Sequence, residues 1–250
     1  MGKGFTEGAG YFKQGLSLIK EPAFRWFVIT PLLLNIAVFA LFFYFAGEVY
    51  SSLVNWFMGF LPEWLAFLSW LLWLVYGTLV VVILAYGFVM AANLIGSPFY
   101  GILSELVQKK LAGQVPEVAG GWQAVLASIP QAIFRESSKI LYYLPRAIGL
   151  LVLGFIPIIN LFAAVLWFLF SSWMMAIQYV DYPSDNNRQK FGVMRRKLAL
   201  DRGQALGFGM PVFIGSMIPV VNLVIVPAAV CGATAYWVGT KAMQEQETAG

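Results

Sequence analysis

The sequence predicts an all-α membrane protein with two long transmembrane helices, two re-entrant helical hairpins that insert partway, and amphipathic interfacial helices. Three observations predict it. The first is residues 64–92, which contain no Asp, Glu, Lys or Arg. At ~1.5 Å per residue a helix over that run is roughly 43 Å long, enough for the ~30 Å hydrocarbon core and part of the headgroup zone. A soluble helix of that length would need a polar face for water. The second is composition: 60% of residues are hydrophobic and 11% charged, with a mean hydropathy of +0.76. Soluble domains carry about 25% charged residues. The third is a pair of charge-free turns of matching sequence, GFIPIIN (154–160) and MPVFIGSMIPVVN (210–222), beside apolar arms too short to cross.

Along the chain, residues 6–20 set Tyr11, Phe12, Leu16 and Ile19 near one helix face and Lys13 and Lys20 elsewhere, the pattern of an interfacial helix. Pro22 suits the first turn of a new helix. Residues 24–46 form the first span, with Arg25 at its start, where it can snorkel. Residues 47–63 connect the spans and carry Trp56, Phe57 and Phe60, with Trp64 just beyond, as expected at a membrane–water interface. The second span, 64–92, ends in a Gly/Pro break at 93–98. Amphipathic helices follow over 99–112 and 122–143, separated by the turn AGQVPEVAGG.

The two Pro-containing turns read as an internal repeat. Each has Ile-Pro, two β-branched residues, then Asn. The apolar arm at 147–156 is about 15 Å as a helix, half a bilayer. The repeat predicts two hairpins that enter the membrane and return on the same side. Asn160 and Asn222 would satisfy backbone groups at the tips. Such broken backbone is tolerated where protein or a water-filled cavity surrounds it. Between the hairpins, DYPSDNNRQKFGVMRRKLALDRG reads as a loop followed by a basic amphipathic helix. The whole chain, 1–250, is expected to form one integral-membrane domain, with spans at about 24–46 and 64–92 and hairpins at about 145–179 and 205–239.

Charge fits that topology. Lys and Arg occur only within 3–25, 109–146, 188–202 and at 241. If the hairpins do not cross, every basic segment and both termini share one face, which the positive-inside rule makes cytoplasmic. Four further full crossings would also leave both termini inside, but would need very short spans at 147–156 and 206–218.

Composition also excludes chemistry. There is no His and a single Cys, Cys231, so a disulfide framework and the common metal sites are not expected. The usual general base is missing, and no GxxxxGK[ST] loop occurs. No carboxylates pair at membrane depth. An enzyme, a metal, a cofactor and a nucleic-acid partner are therefore not expected. Glu7 and the lack of an early apolar run also predict no signal peptide.

Five segments carry a resemblance: 11–35 (YFKQGLSLIKEPAFRWFVITPLLLN), 95–105 (IGSPFYGILSE), 143–160 (YLPRAIGLLVLGFIPIIN), 167–187 (WFLFSSWMMAIQYVDYPSDNN) and 218–238 (IPVVNLVIVPAAVCGATAYWV). The combination of AIQY-x-DYP-x-DN with AVCGATA is specific. Through these the chain resembles the CysZ sulfate-transport family of bacterial inner membranes. The resemblance implies sulfate uptake feeding cysteine biosynthesis, short intramembrane hairpins and a homo-oligomer.

Three sets of residues are candidates for handling the anion. At Glu21-Pro22-Ala23-Phe24-Arg25, free N–H groups after Pro22 and a positive helix end would meet an anion, with the Arg25 fork binding its oxygens. The resemblance places the sulfate contact here, at Ala23, Phe24 and Arg25. The family usually has Gly, an apolar residue and two arginines; here Ala23 and Trp26 replace the Gly and the second Arg, and Glu21 adds repulsion. The simpler role of Arg25 is an anchor to phosphate headgroups. The second set is Glu105, Arg135, Glu136, Lys139 and Arg146 on the amphipathic helices. A conduit needs positive potential spread enough to release its ion, so Arg135 and Arg146 would line an entrance and Glu105 would pair with an Arg. Their plainer role is to face water. The third set is polar residues at depth: Asn93, Ser97, Asn160, Asn222, Gln178 and Asp181. They would face a cavity or bridge helices, with Asn93 and Ser97 the path candidates and Asp181 a turn cap.

The basic run Arg195, Arg196, Lys197 and Arg202 serves as a positive-inside determinant and would also attract anionic lipid. These readings predict an inner-membrane sulfate permease, channel-like or ion-coupled, working as an oligomer within the lipid bilayer. The alternative is a non-conducting structural or regulatory membrane protein that binds another transporter.

Overall fold

The computed structural model describes residues 2–60, 69–113 and 121–240. Among them every regular element is helical. The elements are α1 (Gly2–Leu18), a 3₁₀ turn (Pro22–Phe24), α2 (Arg25–Met58), α3 (Ser69–Leu111), α4 (Gly121–Leu153), α5 (Pro157–Asn160), α6 (Ala163–Asn186), α7 (Phe191–Leu200), α8 (Arg202–Ser216) and α9 (Pro219–Gly239). Stretches 36–57, 163–186 and 221–239 are long and apolar enough to cross a membrane. The chain is an all-α membrane protein.

The described residues divide into two compact units, Thr30–Gly96 and the remainder. The smaller holds α2 from Thr30 onward and α3 as far as Gly96. There Phe57 stacks on Tyr76 at 4.1 Å and Tyr50 meets the edge of Trp73 at 6.1 Å. Gly77 is buried against the Tyr50 hydroxyl. Trp70, Leu74, Val75, Leu79 and Ile83 remain exposed, as lipid-facing side chains would be.

In the larger unit α1 packs against α8 and α9. The contact is backbone to backbone. A Cβ on Gly8 would strike the Gln204 carbonyl, and one on Gly15 the Ala228 carbonyl. Small residues let helices approach in this way, and in lipid such packing replaces the hydrophobic effect as the source of association. The buried stripe of α1 is thus Gly8, Phe12, Gly15 and Leu18, not the expected aromatic and aliphatic face. Tyr11 and Ile19 are half-buried.

The two turns of the repeat share one local geometry. Ile156 and Ile218 are extended N-caps, and Pro157 and Pro219 follow at the first helical position. The N–H groups of Asn160 and Asn222 donate to the Ile156 and Ile218 carbonyls, each at 2.8 Å. These tip bonds come from the Asn main chain. After Asn160 the first copy turns again before α6, whereas the second runs straight on as α9. Both tips are apolar and open: Phe155, Ile158 and Leu161 in one, Met217 and Ile218 in the other.

Four expectations are corrected. The break at 93–98 does not occur, because α3 runs unbroken through Pro98. An interior proline removes one hydrogen bond and costs ~3 kcal/mol; the burial of Ser97, Phe99, Ile102, Leu103, Leu106 and Val107 outweighs it. Likewise α4 continues through Pro130 and Pro145, so the short apolar arm is the last turns of a 33-residue helix. The connection at 47–63 is helical as far as Met58; Trp64 and most of the turn at 112–121 lie outside the described residues. Finally, α6 extends through Pro183 to Asn186 where a loop was expected. The basic helix after it is present as α7, with Met194 and Leu198 buried.

Gly15→Ala should lower the thermal midpoint of the purified protein, because its methyl must displace main chain at an overpacking cost of ~1–3 kcal/mol. Gly10→Ala, with nothing within 4 Å, should raise it by the helix-propensity gain of about 0.5–1 kcal/mol.

Candidate functional site

Helices α4 and α6 form an antiparallel hairpin about Pro157. Arg135 meets Asp181, Glu136 meets Gln178, Tyr142 meets Trp173, and Tyr143 stacks on Phe170. Each pair lies almost equally far from Pro157 on either side, so the turn fixes the register. At the base of this hairpin a cavity of about 280 Å³ is lined by Ser97 and Glu105 of α3, Arg135 and Lys139 of α4, and Asp181 and Asp185 of α6.

The spacing explains the convergence. Arg135 and Lys139 are one helical turn apart, as are Asp181 and Asp185, so each pair shares a face. Arg135 Nη2 lies 2.8 Å from Asp181 Oδ1, and its Nε 3.1 Å from Asp185 Oδ1. Both are close charge contacts whose N–H groups are not aligned on the oxygens. Only Nη1 donates squarely, to the Gln189 carbonyl at 3.1 Å. Lys139 Nζ lies 2.7 Å from Glu136 Oε1 and 3.4 Å from Asp181 Oδ2. It also sits over the Tyr182 ring at 5.0 Å. Glu136 Oε1 accepts from Gln178 Nε2 at 3.3 Å and Ser97 Oγ at 3.4 Å.

Arg135, Lys139 and Asp181 are 9%, 4% and 2% exposed. Charges buried this far are tolerated only when paired. Three cations, Arg135, Lys139 and Arg188, and three carboxylates, Glu105, Asp181 and Asp185, line the cavity. Its formal charge is therefore balanced. Around it, Gln108 and Asn187 exchange amide bonds of 3.1 and 2.9 Å, and Asn186 donates to the Gly101 carbonyl at 2.8 Å. These bonds tie α3 to the end of α6.

The candidates fall in three places. Ser97, Glu105 and Arg135 come together in the cavity. Arg146 lies elsewhere, in a groove with Tyr142, Arg195, Arg196 and Arg202. Ala23, Phe24 and Arg25 form a separate turn, with Phe24 buried and Ala23 and Arg25 exposed. Asn93 is in α3, but its side chain lies outside the described residues. Asn160 and Asn222 stand at the hairpin tips and Gln178 beside Glu136.

Several local expectations change. The N–H groups of Phe24 and Arg25 are not free: they donate to the Glu21 and Pro22 carbonyls, because the turn is 3₁₀. Glu21 is neutralised by Lys110 at 2.8 Å, which removes the repulsion expected there. What this turn offers an anion is the exposed Arg25 side chain. Glu105 pairs with Lys109 at 2.7 Å, one turn along its own helix, and not with an arginine. Asp181 is an interior residue of α6 and the centre of the ion cluster, not a turn cap. Arg135 and Lys139 do not face water.

A family model described as "Sulfate transporter CysZ/Etoposide-induced protein 2.4" matches residues 11–227. The chain belongs to this family. Relatives that bear the name "Sulfate transporter CysZ" include the following three. The protein from Pseudomonas fluorescens strain Pf0-1 is 45% identical over 231 residues, 92% of each chain. That of Pseudomonas aeruginosa strain PAO1 is 46% identical over 92% of this chain and 94% of its own. That of Vibrio parahaemolyticus is 42% identical over the same shares. The matched region contains the turn at 22–25, the cavity and the arginine groove.

Asp185 and Arg188 were missing from the expected set of site residues, and Asp181 was expected there only as a turn cap. The signal that could have found the two carboxylates is two bases one turn apart and two acids one turn apart, on helices joined by a tight turn. Arg135→Met should cost ~3–5 kcal/mol of stability by breaking a buried ion pair and leaving Asp181 with only the longer Lys139 contact at 3.4 Å, and the double variant Arg135→Met/Asp181→Leu should cost less than Arg135→Met alone. Chemical denaturation in detergent measures both.

Proposed function

We propose that this protein carries sulfate across the bacterial inner membrane to supply cysteine biosynthesis, as a channel-like or ion-coupled permease and not as an enzyme. The observation that carries the proposal is the buried Arg135–Lys139 pair in the cavity of a membrane protein 42–46% identical to the named sulfate transporters. Arg135 touches two carboxylates without aligning its N–H groups on them. An arriving sulfate takes those donors, while Asp181 keeps Lys139 as its partner. Exchange of one anion for another holds the ion without trapping it, as conduction requires. Ser97 Oγ supplies a neutral donor, and Arg25 on the exposed turn serves as a first contact.

In this reading the protein is one integral-membrane domain whose Pro157 and Pro219 hairpins dip into the bilayer without crossing it. The open apolar tips support that placement. Both termini then lie in the cytoplasm, with the basic segments. One protomer is too small to enclose a conduit, so a homo-oligomer completes it.

Sealed proteoliposomes should take up labelled sulfate faster than protein-free vesicles, and Arg25→Ala should slow uptake. Asp185→Asn should lower the sulfate KM and the maximal rate together, because Arg135 then holds the anion more firmly. Uptake no faster than the protein-free leak would favour the non-conducting reading. Topology has its own test in a Cys231→Ala background. Lys13→Cys and Asn186→Cys should react with an impermeant thiol reagent from the same side, and Leu161→Cys from neither. Reaction of Asn186→Cys from the opposite side alone would mean that the hairpins cross.

A further inference from the structure

The groove around Arg146 differs in kind from the cavity. Its volume is about 500 Å³, and it is lined by Arg146 of α4, Arg195 and Arg196 of α7, and Arg202 of α8, with no carboxylate. The guanidinium carbon of Arg146 lies 3.6 Å from the centroid of the Tyr142 ring, and that of Arg195 lies 4.3 Å from the same centroid. The two charges are therefore within about 8 Å of each other. Cation–π contact holds both forks in place, and Trp173 Nε1 fixes the ring by donating to its hydroxyl at 3.3 Å. Arg146 Nη1 donates to the Tyr142 carbonyl at 2.7 Å. Arg195 Nε is buried and has no hydrogen-bond partner. Like charges held this close, with a donor unused, are arranged for an anion that is not a side chain lining the groove.

The other wall tells which anion. It is built from Leu169, Phe170, Trp173 and Leu206, and Leu169 belongs to the apolar stretch of α6 long enough to cross a membrane. A small hydrated oxyanion gains nothing from that wall. A zwitterionic headgroup would bring its own cation among four guanidiniums. We propose that this groove holds the headgroup of an acidic diacyl phospholipid, with its phosphate on the Arg146 and Arg195 forks and the start of an acyl chain along Phe170 and Leu169. Basic pockets at the ends of membrane helices recognise acidic headgroups in this way.

Native mass spectrometry of the full chain in detergent tests this with dioleoyl phosphatidylglycerol and dioleoyl phosphatidylcholine as probes. The natural protein should retain phosphatidylglycerol in clear preference to phosphatidylcholine. Arg146→Gln/Arg195→Gln should weaken phosphatidylglycerol binding roughly thirtyfold, from the value per basic side chain near an acidic surface. Lys13→Gln/Lys20→Gln, which removes the same charge elsewhere, should leave it intact. Equal retention of the two lipids by the natural protein would overturn the proposal, and that comparison needs no variant to fold. So would equal loss in both double variants. Displacement of the lipid by an equal concentration of inorganic sulfate would also overturn it, and would mark a site for free oxyanions.

Discussion

Asp181, held between Arg135 and Lys139, is the constraint on which the larger unit depends. None of the three charges could stand alone at its depth, since an isolated buried ion carries a desolvation penalty of several kcal/mol. They are tolerated only because α4 and α6 bring them within 2.8 and 3.4 Å. That requirement fixes the register of the hairpin. A slip of one residue between α4 and α6 would turn Arg135 away from both carboxylates and strand them. The turn at Pro157 has to sit at the midpoint, and it does.

One face of α4 then serves two environments. Arg135, Lys139, Tyr142 and Arg146 follow one another at spacings of four, three and four residues, so they form a single stripe. What differs is the partner. At the base, α6 supplies Asp181 and Asp185, and the cations are matched. Three turns further along, α6 supplies Leu169, Phe170 and Trp173, while α7 and α8 add arginines, and no carboxylate lines the groove. The site lined by both signs of charge is the one proposed to exchange an anion and let it go. The groove without carboxylates is the one proposed to keep its anion. That difference in net charge is why transport is assigned to the first and lipid retention to the second.

Much of this was legible in the sequence, and the failures have physical causes. The membrane class followed from composition, and both hairpin turns from the repeated Ile-Pro…Asn pattern, because proline at a first helical position is a local signal. Helix ends were misjudged at Pro98 and Pro183 for the opposite reason: burial across the helix decides there, and burial is not local; at Pro145 the helix runs on through an exposed stretch, which burial does not explain. The pairs Glu21–Lys110 and Gln108–Asn187 join residues far apart in the chain, so no window of sequence contains them. Glu105 and Arg135 were singled out together as charges on amphipathic helices and Ser97 as a polar group at depth, and the fold brought the three to one cavity. Asp181 was discounted because DYP resembles a turn. Its partners, four residues apart on the preceding helix, were the better guide.

The two copies of the repeat have divided the work. Both keep the extended Ile, the Pro and the Asn at the tip, so the same residues give the same turn geometry. Their arms differ. The first copy carries the ion cluster and the aromatic wall. The return arm of the second, α9, buries Ala228, Ala229, Cys231, Ala233 and Ala235, with Gly232 against the α1 backbone. Small residues make the closest helix contacts but leave no room for a cavity. The second hairpin with α1 is therefore the rigid frame. The first holds its costly charges on an arm braced midway by α8, where Gly209 packs on the Ser172 carbonyl. A long charged side chain inserted at Gly232 of α9 would meet the α1 main chain, because even a Cβ there would lie 2.7 Å from the Tyr11 carbonyl.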